Sequence, residues 1–388
     1  MAFDLPEAAH GCVWIHACSV GEVASVAPLI RSLAEKGIRL HLTVVTHTGF
    51  RHAMQLFSSL PGFSLSYLPW DLPGLMRRLT KRLQPSLLLL TETEFWPGML
   101  NACKRLSIPV IGINTRISDR SFPRYLRTRK LWRRWLSPVV LFLAQSDIDK
   151  TRLEAIGIEP ARIQALGNLK YAISPPAVDA KALRQKLDPS EKKPIFVAGS
   201  THADEEAQLL QEWQTWKQAC PELLLVIVPR HPERFEQVAG LLEAQQLRFI
   251  RWSELTNSDN PSVDIVLIDA MGVLQNLYAI ADLAFIGGSL ADKGGHNPLE
   301  AAICGRGAIT GPHVQNFREI MQQMQHVGAA VITRNSEELH AAVLRLLAHP
   351  EELRELHARA STFMHERSAV LGKVLDAIKP YLAKAGHI

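Results

Sequence analysis

A chain of 388 residues is longer than one hydrophobic core usually serves, so two domains are expected. Its composition, 47% apolar and 21% charged with no low-complexity tract, excludes disordered and fibrous classes. The net charge of +5 is modest, no apolar run approaches the ~18 residues of a membrane-spanning helix, and the N-terminal MAFDLPEAAH carries no secretory pattern. The cysteines (Cys12, Cys18, Cys103, Cys220, Cys304) form no C-x-x-C pair and are odd in number, which points to reduced thiols in a cytoplasmic protein.

The first half alternates strand and helix patterns. CVWIHA (12–17) reads as a buried strand, and VASVAPLIRSLAEKG as a helix ending at Gly37. Strands are then predicted at 38–46, 63–70, 85–91, 108–115 and 139–145. PSLLLLT (85–91) is continuously apolar, as parallel strands buried on both faces are. Residues 172–193 change character, with a Pro-Pro pair and a charged stretch, and mark a domain boundary. The alternation then restarts, with strands predicted at 194–200, 222–230, 263–269, 282–289, 306–310 and 329–333. The class is α/β: two Rossmann-like domains with mostly parallel sheets, over 1–175 and 176–350. A helical tail over 351–388 follows, with packing back on the first domain as one option. Two such domains are expected to face across a cleft, and ligands of open α/β sheets bind at the carboxyl ends of strands.

Five motifs follow predicted strands. Ser19-Val20-Gly21-Glu22 fits a capping box, Ser19 capping and Glu22 reaching back to it. Gly21 weakens that reading, because glycine in a first turn costs stability unless something must approach the backbone. In Thr91-Glu92-Thr93-Glu94, extended geometry puts Glu92 and Glu94 on one face at a strand end. Gly199-Ser200-Thr201-His202 is expected to open a helix whose free N–H groups, at Ser200 and Thr201, make an anion site or a cap. Pro229-Arg230-His231-Pro232 offers Arg230 as a bidentate phosphate clamp. Gly287-Gly288-Ser289 ends a strand, and Gly294-Gly295-His296-Asn297-Pro298-Leu299-Glu300 reads as a helix start with Asn297 as N-cap and Pro298 at the first helical position. The paired glycines argue for close approach of a ligand to Gly288 and Ser289. No phosphate-loop pattern, no dinucleotide fingerprint and no metal-spaced cluster occurs, so neither cofactor nor metal is expected.

Between Arg116 and Arg134 lie Arg116, Arg120, Arg124, Arg127, Arg129, Lys130, Arg133 and Arg134, with Asp119 the one acid and Tyr125, Trp132 and Trp135 interleaved. This is either a solvated basic face or a site for a large anion or an anionic membrane surface.

The order HACSVGE, TETEFWPG, INTRIS, GNLK, STHADEE, LVIVPRHPERF, DAMG, FIGGS and GGHNPLEAA resembles the Kdo (3-deoxy-D-manno-octulosonic acid) transferases of lipopolysaccharide synthesis, over roughly residues 12–380. The resemblance implies a GT-B glycosyltransferase fold. It implies metal-independent, inverting transfer of Kdo from CMP-Kdo to a lipid A precursor (lipid IVA), at the cytoplasmic face of the inner membrane. It also implies Glu22 as proton acceptor, with Glu92 and Lys170 stabilising the transition state. The CMP-binding positions it implies are Pro229, Arg230, Met271, Gly272, Val273, Asn297, Pro298, Leu299 and Glu300. The departing phosphate would be stabilised by Arg230 and by the helix start at Asn297. Two departures stand out: Val273 replaces the family's usual Glu after Met-Gly, and the family's apolar N-terminal anchor and basic segment do not precede the first strand here. The expected partners are CMP-Kdo, the lipid A precursor and an anionic membrane surface, without nucleic acid. The competing readings are another nucleotide-sugar enzyme, such as a sugar epimerase, and a non-catalytic binder of anionic surfaces.

Overall fold

The computed structural model describes residues 10–255 and 263–387. The chain divides into two compact units, Met1–Ala172 with Arg367–Ile388, and Ile173–Glu366. The stretch expected as one helical tail is split between them. The helix Pro350–Ser368 belongs almost entirely to the second unit, and the helix Val370–Lys384 to the first.

The first unit is built on seven parallel strands: β1 (Val13–His16), β2 (Leu40–Val44), β3 (Phe63–Tyr67), β4 (Leu87–Thr91), β5 (Val110–Thr115), β6 (Val139–Ala144) and β7 (Ile163–Ala165), in the order β3-β2-β1-β4-β5-β6-β7. Alternate residues feed two apolar layers, as the pleat requires. Val13, Ile15, Leu87 and Leu89 join one layer with the helix Val20–Glu35. Cys12, Trp14, Leu88 and Leu90 join the other. The helix Val370–Lys384 closes the first of these layers with Val370, Val374, Ile378 and Leu382.

The second unit repeats the plan: β8 (Ile195–Thr201), β9 (Leu224–Pro229), β10 (Phe249–Arg251), β11 (Ile265–Leu267), β12 (Leu283–Ile286), β13 (Ala308–Thr310) and β14 (Ala330–Ile332), all parallel, in the order β10-β11-β9-β8-β12-β13-β14. This is the expected α/β class. The two strands missed in the sequence, β7 and β10, have three residues each and lie at sheet edges, too short for a periodic signal.

Strand order reverses direction between β1 and β4 in the first sheet and between β8 and β12 in the second. Loops leaving neighbouring strands in opposite directions open a crevice there, which is where ligands of such sheets bind.

Packing behind the second crevice is close. Gly199 in β8 faces the Tyr278 ring and Leu274, and a Cβ would fall inside their van der Waals contact. Gly199→Ala is expected to cost ~1–3 kcal/mol through overpacking, read as a lowered melting temperature. An unchanged melting temperature would show that the helix Leu274–Ile280 yields freely.

Candidate functional site

In the first unit, Glu22 sits where β1 turns into the helix Val20–Glu35. Ser19 is the N-cap, its Oγ accepting from the Glu22 N–H. The Glu22 carboxylate does not reach the Ser19 N–H that a capping box would give it. Its Oε2 accepts from the Cys18 N–H at 2.8 Å and lies 3.0 Å from the Thr91 hydroxyl, while Oε1 accepts from the Ser19 hydroxyl at 2.9 Å. Thr91 is also 2.8 Å from the His16 carbonyl, so its single proton serves either oxygen. Gly21 is exposed, and a Cβ on it would meet nothing within 4 Å.

Glu92 and Glu94 do not share a strand face as the sequence implied. β4 ends at Thr91, and Glu92 takes a left-handed conformation, φ 47°, its N–H donating to the Ile113 carbonyl. Burial raises the Glu92 pKa above the ordinary value; the Lys170 charge pulls it down, Glu22 pushes it up, and Arg116 and Glu94 contribute less. Glu94 moves the other way. Burial raises its pKa, but interactions with His16 and Trp96 prevail and hold it low. Trp96 Nε1 donates to Glu94 Oε2 at 2.8 Å, and the buried His16 brings Nε2 to 3.8 Å.

Lys170 lies in a short turn, Leu169–Tyr171, fixed from two sides. The Asn168 side chain accepts from the Lys170 N–H at 2.9 Å, and Asn114 at the end of β5 accepts from the Leu169 N–H at 2.9 Å. Glu22, Glu92 and Lys170 are thus brought to the β1–β4 crevice, and Glu92 feels the charge of both others.

Cys18 Sγ and one oxygen each from Glu22 and Glu94 lie within 4.8 Å of one another. Metal spacing in the sequence did not reveal this group. Burial, then the Glu94 and Glu22 charges, push the Cys18 thiol up to about 11.

In the second unit the GSTH segment does not open a helix. β8 runs through Ser200 and Thr201, both buried, and the helix begins at Glu205, after Asp204 at φ 74°. The amides of Gly288 and Ser289, expected to contact ligand, are already taken. The buried Glu205 carboxylate accepts from five backbone N–H groups: His202 and Gly288 at Oε2 (2.9 and 2.7 Å), and Ser289, Leu290 and Ala291 at Oε1 (2.9, 2.9 and 3.3 Å). The Ser289 hydroxyl is occupied too, between the Ile286 carbonyl and the Gly311 N–H.

Pro229 ends β9, and Arg230 follows it, exposed. Its charge is felt by His202, His296 and Glu300. Met271, 54% exposed, and Gly272, at φ 82°, lie in the loop beyond β11. Val273 caps the helix Leu274–Ile280 without a side-chain bond. The helix at Asn297 is a single turn, Leu299–Ala302, with Pro298 at its N-cap; Asn297 Oδ1 accepts from the Leu299 N–H at 3.2 Å. Four residues align too few peptide dipoles for the helix-start stabilisation expected there. Burial raises the Glu300 pKa, and Arg230 opposes it.

Sequence reasoning missed the histidines. His202 and His296 bring their Nε2 atoms to 2.8 Å with rings within 2° of parallel, and the His231 ring stands 5.3 Å from His202. The one available signal was a histidine in each of three motifs, STHADEE, PRHPERF and GGHNPLE.

Glu205→Gln would replace one acceptor oxygen by an NH₂ group facing amide donors. Leaving buried N–H groups unpaired is expected to cost ~1–3 kcal/mol, lowering the melting temperature by several degrees in a thermal scan. Wild-type stability in this variant would show that the loop 288–291 re-pairs elsewhere.

A family model of 3-deoxy-D-manno-octulosonic-acid transferase (kdotransferase) matches residues 2–173. The 3-deoxy-D-manno-octulosonic acid transferase of Haemophilus influenzae is 35% identical, over 96% of this chain and 87% of that protein. That of Bordetella pertussis is 31% identical, over 95% of this chain and 85% of its own length. Among solved structures, a UDP-N-acetylglucosamine 2-epimerase overlays with a TM-score of 0.53 at 14% identity, covering 94% of this chain and 95% of that one, a likeness of fold alone, the GT-B type. With identity above 30% to full-length transferases across almost its whole length, the chain belongs to the 3-deoxy-D-manno-octulosonic acid transferase family of glycosyltransferases.

Proposed function

We propose that this chain transfers Kdo from CMP-Kdo to a lipid A precursor, lipid IVA, inverting the anomeric centre without a metal. The observation that carries the reading is the Glu22 carboxylate, held at the β1–β4 crevice beside an open Gly21 and within the field of Glu92 and Lys170. A lipid hydroxyl is a weak nucleophile and needs a base in reach. Glu22 Oε1 accepts from the Ser19 hydroxyl, and a carboxylate oxygen has a second lone pair that can take the incoming proton.

The acceptor O–H proton passes to Glu22 as the oxygen bonds to the anomeric carbon. The bond from that carbon to the CMP phosphate oxygen breaks on the opposite face. Glu92 offsets positive charge developing on the sugar, and Lys170 holds the sugar or its carboxylate. On the donor side Pro229, Arg230, Met271, Gly272, Val273, Asn297, Pro298, Leu299 and Glu300 bind CMP, with Val273 contributing through its backbone. Arg230 meets the phosphate as its charge grows, which removes the need for a divalent ion. CMP release from CMP-Kdo in the presence of lipid IVA tests the reading, run with and without a chelator. Dependence on lipid IVA and indifference to the chelator are expected; CMP-Kdo left intact overturns it.

Among the described residues, no helix is long and apolar enough to cross a membrane. One feature supports docking at the cytoplasmic face of an inner membrane. The helices Phe122–Arg127 and Arg129–Trp135 bury no residue fully and expose Arg124, Arg127, Arg129 and Arg133 beside Leu126 and Leu131. Tyr125 and Trp132 pack half-buried between them, ring centroids 4.4 Å apart and planes tilted by 30°, with Trp132 and Trp135 edge to face at 5.3 Å.

Glu22→Gln separates base from cap. Loss of a cap costs ~0.5–2 kcal/mol of stability, whereas loss of a general base costs roughly 10²–10⁴ in rate. A folded enzyme that binds CMP but turns over that much more slowly is expected; near-normal turnover with a lowered melting temperature returns the residue to a structural role. Replacing Arg124, Arg127, Arg129 and Arg133 with Gln is expected to abolish salt-sensitive co-sedimentation with anionic vesicles, since each basic group contributes ~1 kcal/mol near such a surface. CMP affinity should be unchanged. Vesicle binding indifferent to both the substitutions and salt removes this surface from the docking site.

A further inference from the structure

His202 leaves β8 and His296 leaves the loop beyond β12, so they meet at the reversal of the second sheet. Their meeting is built. Glu205 Oε2 accepts from both the His202 and the Gly288 N–H, drawing the two loops together. Gly288, at φ 66°, leaves the rings room: a Cβ there would stand 3.0 Å from His296 Cδ2 and 3.4 Å from His202 Cδ2.

An Nε2–Nε2 distance of 2.8 Å admits one proton between the rings and no more. One further proton fits without breaking the bridge, on the bare Nδ1 of the ring that donates. The pair therefore holds a charge of zero or one, and in the charged state it presents an N–H at both Nδ1 atoms.

The charges around it favour zero in the free protein. Arg230, His231 and Arg234 face it from the segment after β9, and Lys293 from the loop after β12. The nearby acids are engaged: Glu205 with five amides, Glu206 with Arg234 at 3.1 Å, Asp292 with His313 at 3.2 Å. Glu300 lies in the field of Arg230. Burial first, then these cations, lower both histidines, His296 to about 4. An anion entering among these groups cancels the field that keeps the proton off.

We propose that the His202–His296 pair takes up one proton from solvent when a phosphoryl anion enters beside Arg230, so that nucleotide binding is coupled to protonation of the pair. The inference rests on the CMP-Kdo reading, because it takes the CMP phosphate as that anion. A phosphodiester with one negative charge becomes a monoester with two when the sugar leaves. A pair charged on binding matches the product-like state better than the substrate, which is how binding energy accelerates a step. The proton returns to solvent as CMP departs.

The test is calorimetric titration of the full chain with CMP at pH 7 in two buffers of different ionisation heat, from which net proton exchange follows. A phosphomonoester with a pKa near 6 can only lose a proton on entering a cationic site, so net uptake belongs to the protein. Uptake is expected with CMP and none with cytidine, and absence of uptake in the wild type overturns the inference without any variant. His202→Gln and His296→Gln should each still bind CMP with the uptake lost, and His231→Gln should keep it. As pH rises, the wild-type Kd should weaken by up to about tenfold per unit until the bound-state pKa of the pair is passed, then level off; neither pair variant should weaken with rising pH, because the phosphate's own proton loss acts in the opposite direction. Binding without uptake, uptake persisting in both pair variants, or uptake lost only in His231→Gln overturns the inference and leaves the CMP reading standing. No binding of CMP at all overturns both.

Discussion

Backbone N–H groups that spill over the carboxyl ends of parallel strands have no next strand to bond, and in this protein buried or half-buried carboxylates take them. Glu205 collects five, Glu22 takes Cys18, Asp71 takes Gly98 and Met99, and Asp149 takes Ile117. A buried N–H left alone costs ~1–3 kcal/mol, so these acids fix the loops at the carboxyl ends of both sheets. Loops fixed in this way need little reordering when a substrate arrives.

The two sheets use the same plan to opposite electrical effect. The reversal point of the first gathers Glu22, Glu92 and Glu94, with Lys170 tuning Glu92. That of the second gathers Arg230, Arg234, Lys293 and three histidines. A carboxylate-rich crevice suits removal of a proton and support of a cationic sugar. A cation-rich crevice suits an anionic leaving group. Each unit is matched to one side of the proposed transfer.

The long strands were legible because burial on both faces leaves nothing but apolar side chains, as in LLLL before Thr91. Glu22 was legible as either cap or base, since both readings need a carboxylate at that turn. The knot around Glu205 was not, because four of its five partners lie 83 to 86 positions away and local pattern gives only a helix start rich in acids. The histidine pair, 94 positions apart, was hidden for the same reason. At Asn297-Pro298-Leu299-Glu300 the expected N-cap at Asn297 falls one residue later, at Pro298, and Gly305 and β13 follow too soon for more than one turn. The left-handed Glu92 was invisible because strand periodicity says nothing about where a strand stops.

The helix Val370–Lys384 sets the order in which the molecule can be finished. Every strand of the first unit has been made by residue 165, yet Val370, Val374, Ile378 and Leu382 are part of its core beside Val23, Val26 and Ile30. The second unit is continuous from 173 to 366 and waits for nothing beyond itself. On a ribosome the half made later is therefore the first to close. The half made earlier keeps an apolar face open until the final turns of the chain emerge, an interval in which it depends on protection from aggregation.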